Sequence, residues 1–190
     1  KEFGFCYGVE RAIDLAYAAR RVFSDRKVYL LGEIIHNPEV NRQLTEMGVV
    51  SIPIGRQAEV VANLTPADVV IVPAFGAETP IMDLINARGC LMVDTTCGDV
   101  MSVWKRVRGY ARQGVTSIIH GKAIHEETRA TASRARGDSG QGHFLILLTL
   151  GDVDYVCDYI RKGGDRAEFL RRFDGSMSPG FDPELHLGRV

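Results

Sequence analysis

The sequence lacks the features that mark several broad classes of protein. No apolar run approaches the roughly 18 to 20 residues that a membrane-spanning helix needs, and the longest, Phe144 to Leu150, has the length of a buried strand. The formal net charge is -1, so no basic excess indicates a nucleic-acid partner. The chain shows no signal-peptide pattern and does not begin with methionine, so we expect it to start inside a longer protein. Neither a membrane nor a nucleic acid is an expected partner.

Cysteine is also scarce, with four residues spread along a chain of 190. Cys6, Cys90, Cys97 and Cys157 form neither a CxxC pair nor a dense cluster. This spacing argues against both a zinc ribbon and a disulfide framework. Cys90 precedes an apolar run and Cys157 lies in a helical pattern, so both are predicted to pack in the core. A reducing, cytoplasmic setting is expected.

Short β-rich runs alternate with helical patterns along the chain. The composition is that of an ordinary globular protein, with 45% hydrophobic and 25% charged residues. Alternation of strands with helices predicts parallel sheets built from βαβ units, and therefore the α/β class. The predicted strands are Val28 to Leu31, Val69 to Val72, Leu91 to Asp94, Ser117 to His120 and Phe144 to Leu150.

The same alternation predicts two similar small α/β domains, each a parallel sheet flanked by helices. The pattern restarts near Cys90, which predicts a first domain over residues 1–89 and a second over residues 90–174. Glycine- and proline-containing turns interrupt the pattern after residue 174. Residues 175–190 are therefore predicted to be a linker.

Reactive side chains follow the predicted strands. His36, Cys97 and His125 each come shortly after the end of a strand, and Cys6 opens the first helix. Ligands of open parallel sheets bind outside the carboxyl ends of the strands, where helix N-termini favour anions. A thiolate at such a position is stabilised and can ligate a metal. We therefore expect these four side chains to belong to one site.

Each of these residues also has a purely structural interpretation. Cys6 could be a small buried side chain, and His36 could flank or cap a helix. His125, which precedes Glu126 and Glu127, could begin a solvated helix whose acidic first turn suits the helix dipole. These interpretations stay open, because position alone names no reaction.

Four motifs resemble one protein family in their order and spacing. That family is LytB/IspH, the 4-hydroxy-3-methylbut-2-enyl diphosphate reductases, and the resemblance runs from Gly4 to about Tyr159. The motifs are GFCYGVERAI (Gly4 to Ile13), GEIIHNPEV (Gly32 to Val40), DTTCGDV (Asp94 to Val100) and GKAIHEETRA (Gly121 to Ala130).

The resemblance implies an iron–sulfur oxidoreductase of isoprenoid biosynthesis. Members reduce the allylic diphosphate to isopentenyl and dimethylallyl diphosphate, the last step of the non-mevalonate pathway, with electrons from ferredoxin or flavodoxin. Three cysteines hold a 4Fe-4S cluster at the centre of three α/β domains in a trefoil-like arrangement. The resemblance makes Cys6 and Cys97 metal ligands, His36 and His125 substrate-binding residues, and Glu127 the catalytic carboxylate that relays a proton.

The chain departs from the family pattern in three respects. It has Phe75 where the family has the histidine of an Ala-His-Gly motif, and Gly98 where the family commonly has proline. The third cysteine ligand is expected beyond residue 190, so the chain is interpreted as truncated before the third domain. Phenylalanine cannot donate a hydrogen bond to phosphate, so Phe75 alters the expected diphosphate pocket.

Two other functions remain as alternatives to the reductase. One is an inactive fragment, or an anion-binding α/β module that carries no cluster. The other is a mononuclear metal hydrolase that uses His36, Cys97, His125 and Glu127, which would require these groups to share a tetrahedral geometry.

Overall fold

The structure is a computed structural model that describes residues 4–189. The chain divides into two compact units, with the boundary between Ser102 and Val103. Among the described residues, no helix combines the length and the apolar character needed to cross a membrane.

A four-stranded parallel sheet forms the centre of the first unit. The strands, in the spatial order β2-β1-β3-β4, are β1 (Val28–Leu31), β2 (Val49–Ile52), β3 (Val69–Val72) and β4 (Leu91–Asp94). The helices of this part of the chain are α1 (Tyr7–Val22), α2 (Pro38–Glu46), α3 (Gln57–Ala62), α4 (Thr79–Arg88) and α5 (Gly98–Arg112), which extends past the unit boundary. A 3-10 turn at Ile54–Arg56 precedes α3.

Strand β3, one of the two inner strands, is buried on both faces of the sheet. Val69 and Ile71 belong to a core cluster with residues of α1 and α2, whereas Val70 and Val72 belong to a second cluster with residues of α3 and α4. The two sets separate because successive side chains of a strand point to opposite faces. Helices therefore cover both faces, which explains why β3 is a continuous apolar run.

The second unit has a smaller sheet and an aromatic core. Its parallel strands are β5 (Ser117–His120) and β6 (Phe144–Leu147). Its remaining elements are α6 (Glu126–Ala135), α7 (Leu150–Lys162), α8 (Arg166–Arg172), α9 (Pro183–His186) and a 3-10 turn at Leu187–Arg189. Phe169 is fully buried, and its ring centroid lies 4.7 Å from that of Tyr159 and 4.8 Å from that of Phe173.

The α/β class with parallel sheets is confirmed, and all five predicted strands are present. The last one ends at Leu147 rather than Leu150 because Thr149 caps α7: its hydroxyl accepts the Asp152 N–H, and the Asp152 carboxylate accepts the Thr149 N–H. The sequence pattern did not identify β2. Its two middle residues are exposed, so this short strand lacks the alternation that marks a half-buried one.

The limits of the units differ from the predicted limits of the domains. β4 pairs with β3 in parallel, so the first sheet extends to Asp94 and its unit continues beyond residue 89. Residues 175–189 pack onto the second unit instead of forming a separate linker. Phe181 and Leu187 join the core around Phe169, and the Ser178 N–H donates to the Phe144 carbonyl at 3.0 Å.

The two cysteines predicted to lie in the core have different environments. Cys90 is buried, and its thiol donates to the Thr65 carbonyl at 3.4 Å. Burial, and then the charge of Asp68, raise the pKa of the Cys90 thiol. Cys157 is exposed on α7, so its predicted burial is wrong. The apolar neighbours of Cys157 follow the helical period, but its own position lies on the solvent side of the helix.

Candidate functional site

The loops that follow β1, β3 and β4 are hydrogen-bonded to one another beyond the end of the sheet. The Ala74 N–H donates to the Ile34 carbonyl at 3.1 Å, and the Cys97 N–H donates to the Ala74 carbonyl at 3.0 Å. The backbone pairing of the strands thus continues into the loops. This ladder fixes the Cys97 backbone beside the loop that carries Phe75.

Buried threonines and one arginine hold the loop that carries Cys97. The Thr95 hydroxyl donates to the Val72 carbonyl at 2.6 Å, and Thr95 and Thr96 are both fully buried. Arg11 of α1 donates to the Thr96 carbonyl at 3.3 Å. Sequence reasoning missed these supporting residues. Their signal was the pair of threonines between an apolar strand and a cysteine, where buried hydroxyl groups need partners.

The two cysteines predicted to bind metal are both found at the start of α1. Cys6 belongs to the helix start itself, whereas Cys97 contacts it from the loop after β4. Cys6 is the N-cap residue, is exposed, and makes no side-chain capping hydrogen bond. Cys97 is half-buried, and its sulfur lies over Gly8 so closely that a Cβ atom on Gly8 would be 2.4 Å from it. Gly8 and Cys6 are two residues apart, so their Cα atoms lie within about 7 Å of each other. The structure therefore places the Cys97 sulfur against the same helix start that carries Cys6, within the first unit.

His36 lies in the loop after β1 and stacks on Phe75. Their ring centroids are 4.3 Å apart with an interplanar angle of 20°. The His36 Nδ1 atom lies 3.2 Å from a carboxylate oxygen of Glu33. Asn37, not His36, caps α2, because the Asn37 side chain accepts the N–H groups of Glu39 and Val40. The His36 imidazole is thus oriented by an aromatic face and a carboxylate.

Asn41 of α2 supports the backbone of the same loop. Its amide nitrogen donates to the Ile35 carbonyl at 2.8 Å, and its amide oxygen accepts the Ile34 N–H at 3.1 Å. Two reciprocal bonds to consecutive residues hold the loop directly before His36. Asn41 lies four residues after Asn37, so helical spacing alone could have indicated that both face this loop.

His125 and Glu127 lie together at the start of α6, in the second unit. His125 is the N-cap residue, and its Nδ1 atom accepts the Glu127 N–H at 3.3 Å. Glu127 is exposed in the first turn. The structural interpretation of His125 as a helix start is therefore correct.

A cavity of about 410 Å³ lies at the carboxyl end of β5 and β6. Residues Gly121–Ile124, immediately before His125, form part of its wall. The cationic side chains at the wall are Lys122, within this segment, and Arg172. Arg172 pairs with Asp152 at 2.9 Å and lies over the Tyr155 ring, at 4.6 Å from its centroid. The strand ends of the second unit therefore form a concave surface beside the α6 cap.

No group of three or more His, Cys, Asp or Glu side chains that could hold a metal ion occurs among residues 4–189. Within the first unit, Cys6 and Cys97 offer two thiolates. Thiolates are the ligands that iron–sulfur clusters use, so the two residues fit part of such a ligand set. The tetrahedral set required by the hydrolase alternative gains no support.

Comparison with known proteins gives matches along nearly the whole chain. A family model described as LytB protein matches residues 1–161. A 4-hydroxy-3-methylbut-2-enyl diphosphate reductase of Thermosynechococcus vestitus is 50% identical over 188 residues, which is 99% of this chain and 45% of that protein. A protein of the same description from Synechococcus sp. (strain RCC307) is 47% identical over the same shares.

Solved structures agree with the sequence relatives. A structure of (E)-4-hydroxy-3-methyl-but-2-enyl diphosphate reductase matches with a TM-score of 0.65 and 27% identity, over 90% of this chain and 59% of that one. The corresponding reductase of Plasmodium falciparum matches with a TM-score of 0.68 and 26% identity, over 80% and 44%. The chain thus spans about half the length of the curated relatives it matches. With a family match over residues 1–161 and the four motifs on the strand-end loops and helix starts described above, the chain belongs to the LytB family.

Proposed function

We propose that this chain is part of an iron–sulfur oxidoreductase that converts 4-hydroxy-3-methylbut-2-enyl diphosphate to isopentenyl and dimethylallyl diphosphate. One observation carries the proposal: in a chain of this family, the Cys97 sulfur lies over Gly8, in the first turn of the helix whose N-cap residue is Cys6. In the reaction the allylic C–O bond breaks, water leaves, and two electrons and two protons are taken up. The proposed setting is the cytoplasm.

Cys6 and Cys97 are proposed to hold a 4Fe-4S cluster. When bound, such a cluster supplies a Lewis-acidic iron and accepts electrons one at a time. The space over Gly8 supports the assignment, because it directs the Cys97 sulfur towards the exposed helix start that carries Cys6. We assign the third cysteine ligand to the part of the relatives' length that this chain does not span. The two units are correspondingly proposed to be the first two of three domains.

His36 and His125 are proposed to bind the diphosphate of the substrate. A diphosphate carries several negative charges, and imidazole N–H groups are suitable donors to its oxygens. The Glu33 carboxylate, 3.2 Å from Nδ1 of His36, fixes the orientation of the ring. At His125, the helix start adds main-chain N–H groups and a favourable dipole for an anion.

Glu127 is proposed to relay a proton towards the leaving hydroxyl group. Hydroxide is a poor leaving group, so protonation in the transition state accelerates the cleavage of the C–O bond. The carboxylate is exposed one residue beyond the first position of α6, and the N–H of Glu127 is held by the cap residue His125. This bond fixes the backbone from which the acid extends. Ferredoxin or flavodoxin is the proposed electron donor.

A second candidate is an anion-binding α/β module without a cluster. The observation in its favour is the Phe75 ring, which covers one face of His36 where the family has another histidine. Such a module would still offer the imidazole groups of His36 and His125 to an anion. It differs from the reductase in having no use for the thiols of Cys6 and Cys97.

Anaerobic reconstitution with iron and sulfide tests the proposed function. With a small thiol in the buffer as the substitute for the third ligand, we expect the chain to take up about three to four irons, as a 4Fe-4S centre requires. Its EPR signal after reduction should shift on addition of the allylic diphosphate. Cys97→Ser should lose stable iron, because one thiolate is removed. Cys157→Ser is the matched control, since it removes an exposed cysteine on α7 and should keep the iron.

Two outcomes would contradict the proposal. Unchanged iron content in Cys97→Ser would remove this residue from the ligand set. An unmodified chain that takes up no iron yet binds inorganic pyrophosphate in a calorimetric titration would support the second candidate instead.

A further inference from the structure

Gly8 lies in the first turn of α1, directly beneath the Cys97 side chain. A Cβ atom built on Gly8 would lie 2.4 Å from the Cys97 sulfur and 3.2 Å from its Cβ atom. Side-chain atoms do not approach this closely without displacement, so any residue other than glycine requires a movement here. Gly8 is buried although the cysteine two residues earlier is exposed.

The backbone of Cys97 is poorly placed to make that movement. Its N–H group is bonded to the Ala74 carbonyl at 3.0 Å, and the preceding carbonyl of Thr96 accepts Arg11 at 3.3 Å. Thr95 is anchored to Val72 of the inner strand through both its hydroxyl and its N–H group, at 2.6 and 3.1 Å. With the loop held on one side, the sulfur is the atom that must be displaced.

The start of α1 is attached to the same loop that carries Cys97. Arg11 belongs to α1, so its bond to the Thr96 carbonyl links the helix that carries Gly8 to the loop that carries Cys97. Ala12 and Ala16, which follow Gly8 at helical spacing, are fully buried. The helix therefore cannot simply withdraw from the loop without exposing its packed face.

We propose that Gly8 is a positioning residue that sets where the Cys97 sulfur lies relative to Cys6. The missing side chain creates the space that the sulfur occupies at the first turn of α1. A methyl group in that space would direct the sulfur away from the helix start, and so away from the second thiol. This inference rests on the proposed function, in which the two thiols share a cluster.

The mapped alkylation rate of each cysteine in the cluster-free chain tests this geometry. Gly8→Ala should change the rate of Cys97 with iodoacetamide by on the order of tenfold, because thiol reactions depend on access to the sulfur. Cys157 on α7 serves as the internal reference and should keep its rate. The matched control is Gly98→Ala, because Gly98 is adjacent to Cys97 and a Cβ atom there meets no atom within 4 Å.

A double-mutant cycle separates the contact from a general effect on folding. Gly8→Ala should lower Tm by roughly 2 to 10 °C, the range expected when an extra methyl group overpacks a site in a protein of this size. Cys97→Ala removes the sulfur, so in that background Gly8→Ala should lower Tm much less. Additive Tm shifts, or an unchanged Cys97 alkylation rate in a folded Gly8→Ala chain, would overturn the role of Gly8.

Iron uptake connects the inference to the proposed function while keeping their failures separate. Gly8→Ala should weaken iron binding about 10- to 100-fold, as expected when a residue that orients a ligand is changed, whereas Gly98→Ala should not. An unmodified chain that binds no iron contradicts the proposed function but leaves the alkylation and Tm tests of Gly8 intact. Normal iron uptake by Gly8→Ala contradicts the positioning role alone.

Discussion

The two units hold their candidate residues in different ways. In the first unit, hydrogen bonds from one strand-end loop to the next fix Cys97, and Asn41 fixes the loop before His36. In the second unit, His125 and Glu127 are fixed by the cap of a single helix. The difference follows from the sheets. Four strands supply adjacent loops that can continue the ladder, whereas the two strands β5 and β6 supply one such bond, from the Gly121 N–H to the Leu147 carbonyl.

The hydrophobic cores of the two units also differ in the kind of side chain that they pack. The first unit packs aliphatic side chains on both faces of its sheet. The second packs the rings of Tyr155, Tyr159, Phe169, Phe173 and Phe181. Large rings bury more area per residue, so a few of them stabilise a unit that has little sheet. Stability in the second unit should therefore depend on fewer residues.

The largest expected effect is from Phe169→Ala, which removes the fully buried ring at the centre of the second core. The free energy of unfolding should fall by about 3 to 5 kcal/mol, the range for deletion of a buried aromatic side chain. Urea denaturation, monitored by the fluorescence of Trp104, the single tryptophan, measures this free energy of unfolding. Ile160→Ala, at an exposed position of α7, is the control, with an expected change within about 0.5 kcal/mol. Similar effects for both variants would contradict a core centred on Phe169.

A smaller effect is expected from Thr95→Val, which tests the loop ladder of the first unit. The substitution removes the hydroxyl bond to Val72, but the Val72 carbonyl keeps its bond from the Thr95 N–H. We expect a loss of about 0.5 to 1.5 kcal/mol in the free energy of unfolding, measured by urea denaturation. The control Thr45→Val removes a hydroxyl bond on an exposed helix position and should change little. Equal losses would show that burial of the Thr95 hydroxyl is unimportant.

The smallest effect should be the pH dependence of the second unit around His143. The His143 ring stacks on His186 with centroids 3.6 Å apart, and its Nδ1 atom lies 3.0 Å from the Ser178 hydroxyl. Burial, and then the charges of His186 and Arg136, hold the pKa of His143 below its ordinary value of 6.5. The unfolded chain therefore binds this proton first, so the stability is present above pH 6.5 and is lost as the pH falls through the lowered pKa.

Thermal melts between about pH 7.5 and 5.5 measure this dependence. The control is His143→Phe, which keeps an aromatic ring beside Phe181 and should flatten the decrease of Tm with falling pH. A decrease equally steep in the variant would assign the dependence to other groups.

The fold was largely predictable from the sequence, because alternation of apolar runs with helical patterns is a local signal. The prediction failed at β2, where two of four residues are exposed, and at Cys157, which lies on the solvent side of α7 beside buried residues of the same helix. The unit boundary was predicted too early because β4 pairs with β3, a long-range contact that no local pattern encodes. The strand-end positions of Cys97 and His36 were predictable for the same local reason.

The contacts around those positions were not predictable. The stacking of Phe75 on His36 and the approach of Cys97 to Gly8 join residues 39 and 89 positions apart in the sequence. Such contacts depend on how the strands are ordered and on the path of each loop. A family motif identifies Gly8 as part of a pattern, but only the packing explains why a side chain is excluded there.

The hydrogen bonds that Thr95 donates to the Val72 carbonyl and Cys97 donates to the Ala74 carbonyl have a consequence for the lifetime of the site. They attach the Cys97 loop to β3, the inner strand whose four residues are all buried. Loops that fray independently open at little cost in free energy, whereas segments bonded to a buried strand open together with it. The amide hydrogen of Cys97 should therefore exchange with solvent nearly as slowly as those of the strand, and the thiol should stay in place for as long as the sheet stays closed.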